Sequence, residues 1–584
     1  MVFIMSEMNY KAAYERWLSE PSVDAETKAE LLSIADNDEE IKQRFISYLS
    51  FGTAGLRGTM NAGTNAMNVY TVAHATQGMA TLIAGKGEDA MKRGVVIAHD
   101  CRINARTFAE VSAEVLCANG IKVYLFDALR PTPVLSYAIG ALNCIAGINI
   151  TASHNPKEYN GYKAYWEDGA QLAPEQADVV SASISATDIF TGVKRMPLAD
   201  AIASGLCEIV GDALDQTYLA KVEAQLVDPA VVREAADALS IIYTPLHGTG
   251  HKLVPEILSR IGVKKLYTVD EQMVIDGSFP TVANPNPEYP EVFEIGIAKA
   301  NEVGSDLIIA TDPDADRVGV MAKGKDGKFH CLTGNQMGVL LLDYIITSLK
   351  RQNKLPKEAY AIKSIVSTEM ATKVCEANGV TMFQTYTGFK FIGEKILSEQ
   401  KRGNTDGYLL GFEESYGYLR GDYAKDKDAV VTTMLIVEMA AYYDTKHMTL
   451  IDAMEEMYAK YGCYSDGVAN IYMKGLKGLE NMKALMKSLR ENPPKEIGGY
   501  DIVRFIDYKA GRIVDNTAGT ESETGMESSD VLSFVTAAGD TIVIRPSGTE
   551  PKIKIYFLVS GETAEISATK LDAYKKTALA WTEE

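Results

Sequence analysis

Short apolar segments that end in polar loops recur along this chain, and this alternation most constrains its fold. Residues 95–98 and 123–126 are apolar, are separated by a segment with apolar residues at helical spacing, and are followed by a third apolar run at 146–150. The alternation begins again at Ile241 and at Tyr360. Because strand–helix–strand repeats place parallel strands beneath covering helices, the pattern predicts α/β domains with mostly parallel sheets.

The chain is long enough for several such domains. Its 584 residues suggest about four domains of roughly 150 residues each. Residues 8–50 have the pattern of amphipathic helices, whereas after Gly462 a polar stretch at 516–530 and two late strands indicate a different unit. We therefore expect three related α/β domains with mixed, mostly parallel sheets and a smaller C-terminal α+β domain. The predicted domain ranges are 1–210, 211–325, 326–461 and 462–584.

Composition and charge exclude several classes of partner. With 46% hydrophobic and 23% charged residues, the chain has the composition of a globular protein. Its formal net charge of −20 argues against nucleic acid and anionic membranes, because both require a basic face. The seven cysteines include no C-x-x-C pair, and no apolar run resembles a signal peptide or a membrane span of ~20 residues. We expect a cytoplasmic protein, in which an anionic ligand would require a local cluster of cations.

A candidate reaction centre follows the apolar run at 146–150. The next residues are Thr-Ala-Ser-His-Asn-Pro, and Pro156 biases Asn155 away from the helical region, so the chain turns here. Ser153 and His154 then lie just beyond a strand end, where open α/β sheets bind their ligands. With Lys163 ten residues further on, they form a candidate phosphoryl-transfer centre; an Asx-type turn with a solvated histidine is the alternative.

Three acids follow another apolar strand. Asp312, Asp314 and Asp316 occupy alternate positions, can converge on one side of an extended loop, and offer the hard oxygen donors that suit Mg²⁺. An EF-hand is excluded, because its glycine and glutamate positions hold Arg317 and Lys323. An aspartyl-phosphate phosphatase with Asp312 as nucleophile and a solvated acidic turn stay open. The mutual repulsion of three carboxylates favours a bound cation.

Other loops offer groups for binding an anion or a sugar. Glycines bracket Arg57 and can leave amides facing an anion, although a plain glycine-rich loop has the same pattern. Glu413 and Ser415 follow a strand and can bind two sugar hydroxyls, or lie exposed in a loop. Residues 545–552 combine an arginine fork, two hydroxyls, a glycine and a lysine, which predicts a phosphate-binding loop. His247 also follows a strand, where a lone histidine is more often structural.

These segments occur in the order found in the α-D-phosphohexomutases. Along nearly its whole length the chain resembles that family, particularly its longer-chain branch of phosphoglucomutase and phosphopentomutase type. The segments that carry the resemblance are GTAGLRG, TASHNP with NGYK, TPLHGTG, DPDADR, TGFK, GFEES and RPSGTEP. The metal loop departs from the D-G-D pattern of many members by having Pro313, from which we expect a stiffer loop with the same ligands.

The resemblance implies a role for each of these side chains. Ser153 would be the phosphorylated serine and, with Asp312, Asp314 and Asp316, would bind one Mg²⁺ per chain. The resemblance assigns cationic or acid/base roles to Arg57, His154, Lys163 and Lys390. It assigns substrate binding to Glu413, Ser415, Arg317, Arg545, Ser547, Gly548, Thr549 and His247. The fourth domain would close over a cleft shared with the first three.

The implied activity is that of an isomerase of carbohydrate metabolism. It would interconvert α-D-glucose 1-phosphate and glucose 6-phosphate through the phosphoserine and glucose 1,6-bisphosphate, the bisphosphate being both intermediate and activator. Its partners would be small sugar phosphates, and a monomer or weak homodimer is expected. Mannose or pentose phosphates as substrates, a Mg²⁺-dependent sugar phosphatase and a non-catalytic sugar-phosphate binding protein are the alternatives.

Overall fold

The computed structural model describes residues 9–53, 55–472, 478–546 and 552–581. The N-terminal part confirms the predicted amphipathic helices, which are α1 (Tyr10–Ser19), α2 (Ala25–Ser33) and α3 (Asp38–Phe45). Each begins at an Asn or Asp whose side chain accepts a backbone hydrogen bond from the first turn, as helix N-caps do. Their apolar faces pack around the buried Trp17.

The first sheet has the strand order β1-β5-β4-β2-β3-β6. Strands β1 to β6 are Leu56–Thr59, Val95–His99, Val123–Phe126, Ala146–Ile150, Tyr159–Trp166 and Cys207–Val210. Helices α4 to α9 are Val69–Ala84, Glu88–Arg93, Ala105–Ala118, Thr132–Ala141, Pro174–Ala186 and Leu198–Ala203. Strands β2 and β4 are buried on both faces, which explains their continuous apolar runs. The sequence did not predict β5, which runs antiparallel to β4.

The second sheet has the order β11-β10-β9-β7-β8. Strands β7 to β11 are Ser240–Thr244, Lys265–Thr268, Leu307–Thr311, Val318–Lys323 and Phe329–Leu332. Helices α10 to α14 are Asp212–Glu223, Pro229–Ala235, Gly250–Arg260, Asp270–Met273 and Glu294–Val303, with a 3₁₀ turn at Pro290–Phe293. Strands β7, β8 and β9 are parallel, whereas β10 runs antiparallel to both of its neighbours, β9 and β11. The acidic loop is the connection between β9 and β10.

The third sheet has the order β13-β12-β14-β15. Strands β12 to β15 are Tyr360–Ser364, Thr381–Thr385, Tyr408–Glu413 and Gly417–Leu419. Helices α15 to α19 are Gly334–Arg351, Met370–Asn378, Phe389–Lys401, Ala429–Asp444 and Leu450–Tyr461. Helix α18 is buried along almost its whole length, so it is apolar on every face.

The C-terminal unit is a mainly antiparallel sheet covered by helices α20 (Gly478–Glu491) and α21 (Ala564–Ala580). Its strands β16 to β25 are Cys463–Tyr464, Gly467–Tyr472, Glu496–Ile497, Tyr500–Asp507, Arg512–Asp515, Thr520–Glu523, Leu532–Thr536, Thr541–Pro546, Lys552–Leu558 and Ser560–Gly561. The exposed strand β21 lies in the stretch that looked like a polar loop. The four units confirm the predicted fold class, while the exact domain boundaries stay predictions.

One large apolar cluster links the first three units. It includes Val96, Tyr243 and Leu340, and so runs through the first three sheets. The C-terminal sheet has its own cluster around Phe534 and Ile542. The first three units therefore share a core that the fourth does not. Among the described helices, none has both the length and the apolar character needed to cross a membrane.

A buried carboxyl group where the second and third units meet makes stability depend on pH. Glu438 on α18 is fully buried and accepts backbone hydrogen bonds from Val227 and Asp228. Burial raises its pKa to about 7. The folded protein thus binds this proton more tightly than the unfolded chain, so the stabilisation is complete below the ordinary glutamate pKa and is lost as the pH rises through about 7.

We predict that Glu438→Gln removes this dependence, because glutamine keeps an oxygen acceptor and does not ionise. The free energy of unfolding of the variant, measured relative to that of wild type, should be higher at pH 8 than at pH 5 by on the order of 3 kcal/mol. Differential scanning calorimetry at both pH values measures this, with Glu455→Gln on the exposed face of α19 as control. An equal difference at both pH values would contradict the prediction.

Candidate active site

The candidate nucleophile lies on a turn directly after β4. Ser153 has a φ of 53°, in the left-handed region that few residues other than glycine adopt. Its backbone N–H donates to Thr151 Oγ1 at 2.8 Å, which supports this conformation. Its Oγ is 2.8 Å from Asp312 Oδ2 and 3.1 Å from His154 Nδ1. The turn therefore directs a hydroxyl from the first sheet onto the acidic loop of the second.

The three acids of that loop lie together. Asp312, Asp314 and Asp316 are buried, and one carboxylate oxygen of each lies within 4.8 Å of the other two. Asp312 Oδ1 accepts the backbone N–H groups of Asp316 and Arg317 at 3.0 and 2.9 Å. Thr132, from the first unit, donates through its Oγ1 to Asp314 Oδ2 at 2.7 Å. The loop is thus fixed by its own backbone and by the neighbouring domain.

Cations from two other units lie against these acids. Lys163 on β5 places its Nζ 2.6 Å from Asp314 Oδ2 and 3.2 Å from Asp316 Oδ2. Lys427, which precedes α18, places its Nζ 3.2 Å from Asp316 Oδ2 and 2.9 Å from Asp426 Oδ1. Because buried charges require partners, the two lysines tie the first and third sheets to the loop of the second.

The donor set fits a divalent cation. Asp314 Oδ1 and Asp316 Oδ1 are buried and have no hydrogen-bond partner among the described residues. Burial, together with the charges of Asp314 and Asp316, holds the pKa of Asp312 well above its usual range. Buried oxygens that lack donors, in a cluster whose negative charges repel, are what a hard cation such as Mg²⁺ would satisfy.

A cavity of about 1000 Å³ opens beside this centre. All four units contribute to its lining. The predicted site residues that line it are Arg57, His154, Arg317, Glu413, Ser415 and Arg545. Ser153, Lys163 and the three aspartates are buried next to these lining residues rather than in the wall itself. The structure thus brings together most of the side chains that the sequence selected.

His154 connects the buried centre to the cavity. Burial and the neighbouring charges of Arg317 and Arg57 hold its pKa well below the usual value, so the imidazole is neutral near pH 7. A serine hydroxyl carries a single proton. If Ser153 donates that proton to Asp312, His154 Nδ1–H must be the donor in its own contact with Oγ.

Glu413, a candidate for binding sugar hydroxyls, is held in place by a hydrogen bond from a glycine. Glu413 Oε1 accepts the backbone N–H of Gly388 at 2.6 Å. Gly388 has a φ of 118°, which a residue with a side chain would adopt only under strain. The glycine of the TGFK segment therefore positions Glu413, although the sequence had pointed to the lysine of that segment.

The C-terminal unit supplies a group of cations. Arg545 and Lys554 are cross-strand neighbours on β23 and β24, and Lys552 lies 4.8 Å from the centre of the Tyr472 ring. None of the three cations has a carboxylate within 4.0 Å among the described residues. Burial and the charges of Lys552 and Arg545 lower the pKa of Lys554. Like charges gathered without an ion-pair partner favour binding of an anion.

Two predicted residues lie away from the cavity. His247 is fully buried, with Nδ1 at 2.8 Å from Val274 O and Nε2 at 2.8 Å from Thr281 Oγ1, so both ring nitrogens are engaged within the second unit. Lys390 is not in the lining and lies over the ring of Phe391. Ser547, Gly548 and Thr549 lie outside the described residues.

Sequence reasoning missed residues that hold the site together. Lys427 belongs to the alternating charges Lys425-Asp426-Lys427-Asp428, and such a run at the start of a long apolar helix could have identified it. Arg102, in the loop after β2, donates hydrogen bonds to backbone carbonyls of the Ser153 turn. No local pattern marks Arg102, because its partners are more than fifty residues away in the sequence.

Comparison with known proteins covers nearly the whole chain. Residues 48–189, 216–326 and 333–461 match the alpha/beta/alpha domains I, II and III of the phosphoglucomutase/phosphomannomutase family, and residues 482–575 match its C-terminal domain. A phosphoglucomutase of Staphylococcus saprophyticus is 34% identical over 536 residues, which are 92% of this chain and 95% of that protein.

Two solved structures have the same fold. The open form of pp63/parafusin, a phosphoglucomutase from Paramecium, matches with a TM-score of 0.67 at 20% identity, covering 92% of this chain and 96% of that one. A phosphoglucomutase/phosphomannomutase family protein from Burkholderia thailandensis matches with a TM-score of 0.63 at 19% identity, covering 91% and 97%.

We predict that Mg²⁺ raises the melting temperature of the protein. The Asp316→Asn variant should require at least about ten times more Mg²⁺ for the same rise. The substitution removes one charged oxygen donor from the cluster. A ligand that binds only the folded state adds about 2.7 kcal/mol at one hundred times its Kd. Thermal melts across a Mg²⁺ titration, with circular dichroism to verify folding, measure the effect.

Asp326→Asn is the matched control, because Asp326 lies exposed in the same unit and pairs only with His330 among the described side chains. Equal Mg²⁺ shifts for wild type and Asp316→Asn would contradict the metal assignment.

Proposed function

The chain belongs to the α-D-phosphohexomutase family, that of phosphoglucomutase and phosphomannomutase, as its motifs predicted, and on this premise we propose that it interconverts α-D-glucose 1-phosphate and glucose 6-phosphate. Such an enzyme is an isomerase that moves a phosphoryl group between two positions of one sugar. The similarity to a phosphoglucomutase at 34% identity supports glucose over mannose or pentose.

One contact carries the proposal. Ser153 Oγ lies 2.8 Å from Asp312 Oδ2, so the hydroxyl that would store the phosphoryl group touches the acids that would bind the cation. These groups come from different sheets and are 159 residues apart in the sequence. A solvated turn would have no reason to be buried against three carboxylates, which supports a catalytic role for Ser153.

The proposed reaction has two transfers. The phosphoryl group on Ser153 passes to a free hydroxyl of the bound sugar phosphate, whose proton is transferred to Oγ, and the product is glucose 1,6-bisphosphate. The bisphosphate turns end for end in the cavity, and its other phosphate returns to Ser153. In this scheme the bisphosphate is both the intermediate and the activator that rephosphorylates free enzyme. Little covalent assistance is required, so positioning and charge neutralisation provide most of the catalysis.

Each group around the cavity has a task in this scheme. Glu413 and Ser415 would hold the sugar hydroxyls, and Arg317 would lie against the reacting phosphate. Arg545 would bind the phosphate that does not react, together with Ser547, Gly548 and Thr549, which lie outside the described residues. Arg57, His154, Lys163 and Lys390 would be the cationic or acid/base groups, and Lys390 would have to turn towards the cavity.

Asp312, Asp314, Asp316 and the phosphorylated Ser153 would hold one Mg²⁺. When bound, the ion supplies positive charge that neutralises the phosphoryl group during transfer. Lys163 and Lys427 keep the acids in place from either side. The orphaned oxygens of Asp314 and Asp316 support this assignment.

The environment of Asp312 disfavours the phosphatase alternative. Its Oδ1 accepts two backbone N–H groups and its Oδ2 faces the Ser153 hydroxyl, so the carboxylate is directed at Ser153 and at its own loop, and it does not line the cavity. Asp312 is therefore better placed as a metal ligand than as a nucleophile.

We also propose that the enzyme works in the cytoplasm as a monomer or weak homodimer. All seven cysteines are free thiols, which suits a reducing compartment. Described residues from all four units of one chain line the cavity, which supports chemistry within a single copy.

We predict that Ser153→Ala lowers kcat with glucose 1-phosphate at least about a thousandfold, because it removes the nucleophile. Intact mass and peptide mapping of wild type should locate one phosphate on Ser153, and parallel assays with mannose 1-phosphate and ribose 1-phosphate rank the sugars. Ser185→Ala on α8 is the control and should retain full activity. A Ser153→Ala variant with wild-type turnover would favour the phosphatase and overturn the proposal.

A further inference from the structure

A buried arginine holds the backbone of the turn that carries Ser153. The side chain of Arg102 is completely buried. Its Nη1 donates to the carbonyl oxygens of Pro156 and Tyr159, each at 2.9 Å, and its Nη2 donates to those of Ser153 and Asn155. A single guanidinium group thus donates hydrogen bonds to four carbonyl oxygens of this turn and the residues that follow it.

The turn requires such a partner. With a φ of 53°, Ser153 has a conformation that costs free energy and persists only where its surroundings impose it. Carbonyl oxygens that converge inside a protein repel one another and are costly to leave without donors. A guanidinium has five donors in a rigid plane, whereas the ammonium group of lysine has three on a flexible stem, so lysine could not bind the same set.

Arg102 is itself fixed on its other side. Asp100 Oδ1 accepts the backbone N–H of Arg102 at 2.8 Å, and Asp100 Oδ2 lies 3.2 Å from Arg102 Nε. The same carboxylate oxygen accepts the Thr151 hydroxyl at 2.6 Å, and Thr151 Oγ1 in turn accepts the backbone N–H of Ser153. The network therefore binds the turn by its carbonyls and by its amide.

The second unit covers this network. The guanidinium carbon of Arg102 lies 5.2 Å from the centre of the Phe279 ring, and Phe279 is buried. A Cβ added at Gly277 would lie 2.5 Å from the backbone nitrogen of Ile103, so the segment around Gly277 packs directly on the chain beside Arg102. The position of Ser153 thus depends on how the first two units pack together.

We propose that Arg102 is a positioning residue that determines whether the phosphoryl group of Ser153 is transferred to sugar or lost to water. This inference rests on the proposed function. Arg102 does not line the cavity, so it would act on the substrate only through the orientation of Ser153.

The two fates of the phosphoserine differ in how much alignment they require. In transfer, the sugar oxygen bonds to phosphorus, the Oγ–P bond breaks, and the proton of the sugar hydroxyl goes to Oγ. In hydrolysis, water replaces the sugar and inorganic phosphate leaves. A sugar bound at fixed contacts requires Oγ and phosphorus in line with one hydroxyl, whereas water can approach from several directions. A displaced Ser153 therefore loses transfer before it loses hydrolysis.

The test is a partition experiment on Arg102→Lys. The variant is phosphorylated with labelled glucose 1,6-bisphosphate and mixed with glucose 1-phosphate, and the label is divided between sugar phosphates and inorganic phosphate. We expect the transfer rate to fall about 10- to 100-fold, with hydrolysis and KM changed less than about threefold, so that the ratio of transfer to hydrolysis falls. A merely structural loss of active protein lowers both rates equally and leaves the ratio unchanged.

Arg106→Lys is the matched control. Arg106 also donates to backbone carbonyls, those of Phe126 and Asp127, but does not touch the Ser153 turn. Its variant should keep the wild-type ratio. If Arg102→Lys does not fold, Asp100→Asn replaces it, because this change loosens the guanidinium without removing it and should lower the ratio in the same direction.

The outcomes separate the two proposals. Wild type that carries no label on Ser153 would overturn the proposed function. Labelled wild type with an unchanged ratio in Arg102→Lys, or in Asp100→Asn where that is the folded variant, would overturn only the role of Arg102. An equal fall in Arg106→Lys would also overturn it, since the effect would then not belong to the turn.

Discussion

The mutual repulsion of three buried carboxylates is the interaction on which the packing of the first three units depends. Asp312, Asp314 and Asp316 come within 4.8 Å of one another where water does not screen them. Such a cluster is stable only if positive charge surrounds it, and the fold brings that charge from separate units: Lys163 from the first and Lys427 from the third. The same contacts that neutralise the acids therefore also join the first and third units to the second.

This constraint also explains why the Ser153 turn is built so rigidly. On the proposed function, a phosphoryl group on Ser153 would have to lie within reach of a cation held by the three acids, and its transfer would require alignment with the accepting hydroxyl. Thr151, Asp100 and Arg102 hold the turn from its amide side and its carbonyl side. The strain at Ser153 is thus maintained by a network that reaches into the second unit through Phe279.

The sequence predicted what is local and periodic. Apolar runs gave β2, β3 and β4 nearly to the residue, and the fold class followed from their alternation with helices. The sequence did not predict strand β5, because Asn160 and Gly161 are poor strand formers. Pairing with β4 overrides that preference. Strand β21 escaped because its residues are polar and exposed.

Within the candidate site, the motifs identified most of the groups that line or adjoin the cavity and missed groups that support them. Lys427 and Arg102 act through contacts between residues distant in the sequence, which no local pattern shows. His247 shows the converse case: it follows a strand in a recognisable motif, both of its nitrogens have partners within its own unit, and its role in substrate binding stays a prediction. A motif alone does not show whether such a histidine supports its loop or binds a ligand, and the positions of its hydrogen-bond partners are required to distinguish the two.

The acids and the clustered cations of the site lie in different parts of the fold. The acids lie in the three units that one apolar cluster links, whereas Arg545, Lys552 and Lys554 lie in the unit that has a core of its own. That unit meets the third through a smaller apolar patch around Tyr386 and Tyr508, and units joined in this way generally move relative to one another. A ligand shifts such an equilibrium only through contacts made in one arrangement. On the proposed function, a phosphate held by the three cations makes those contacts when the fourth unit closes, so the charge of the substrate, rather than its sugar ring, would drive closure of a protein that is otherwise strongly acidic.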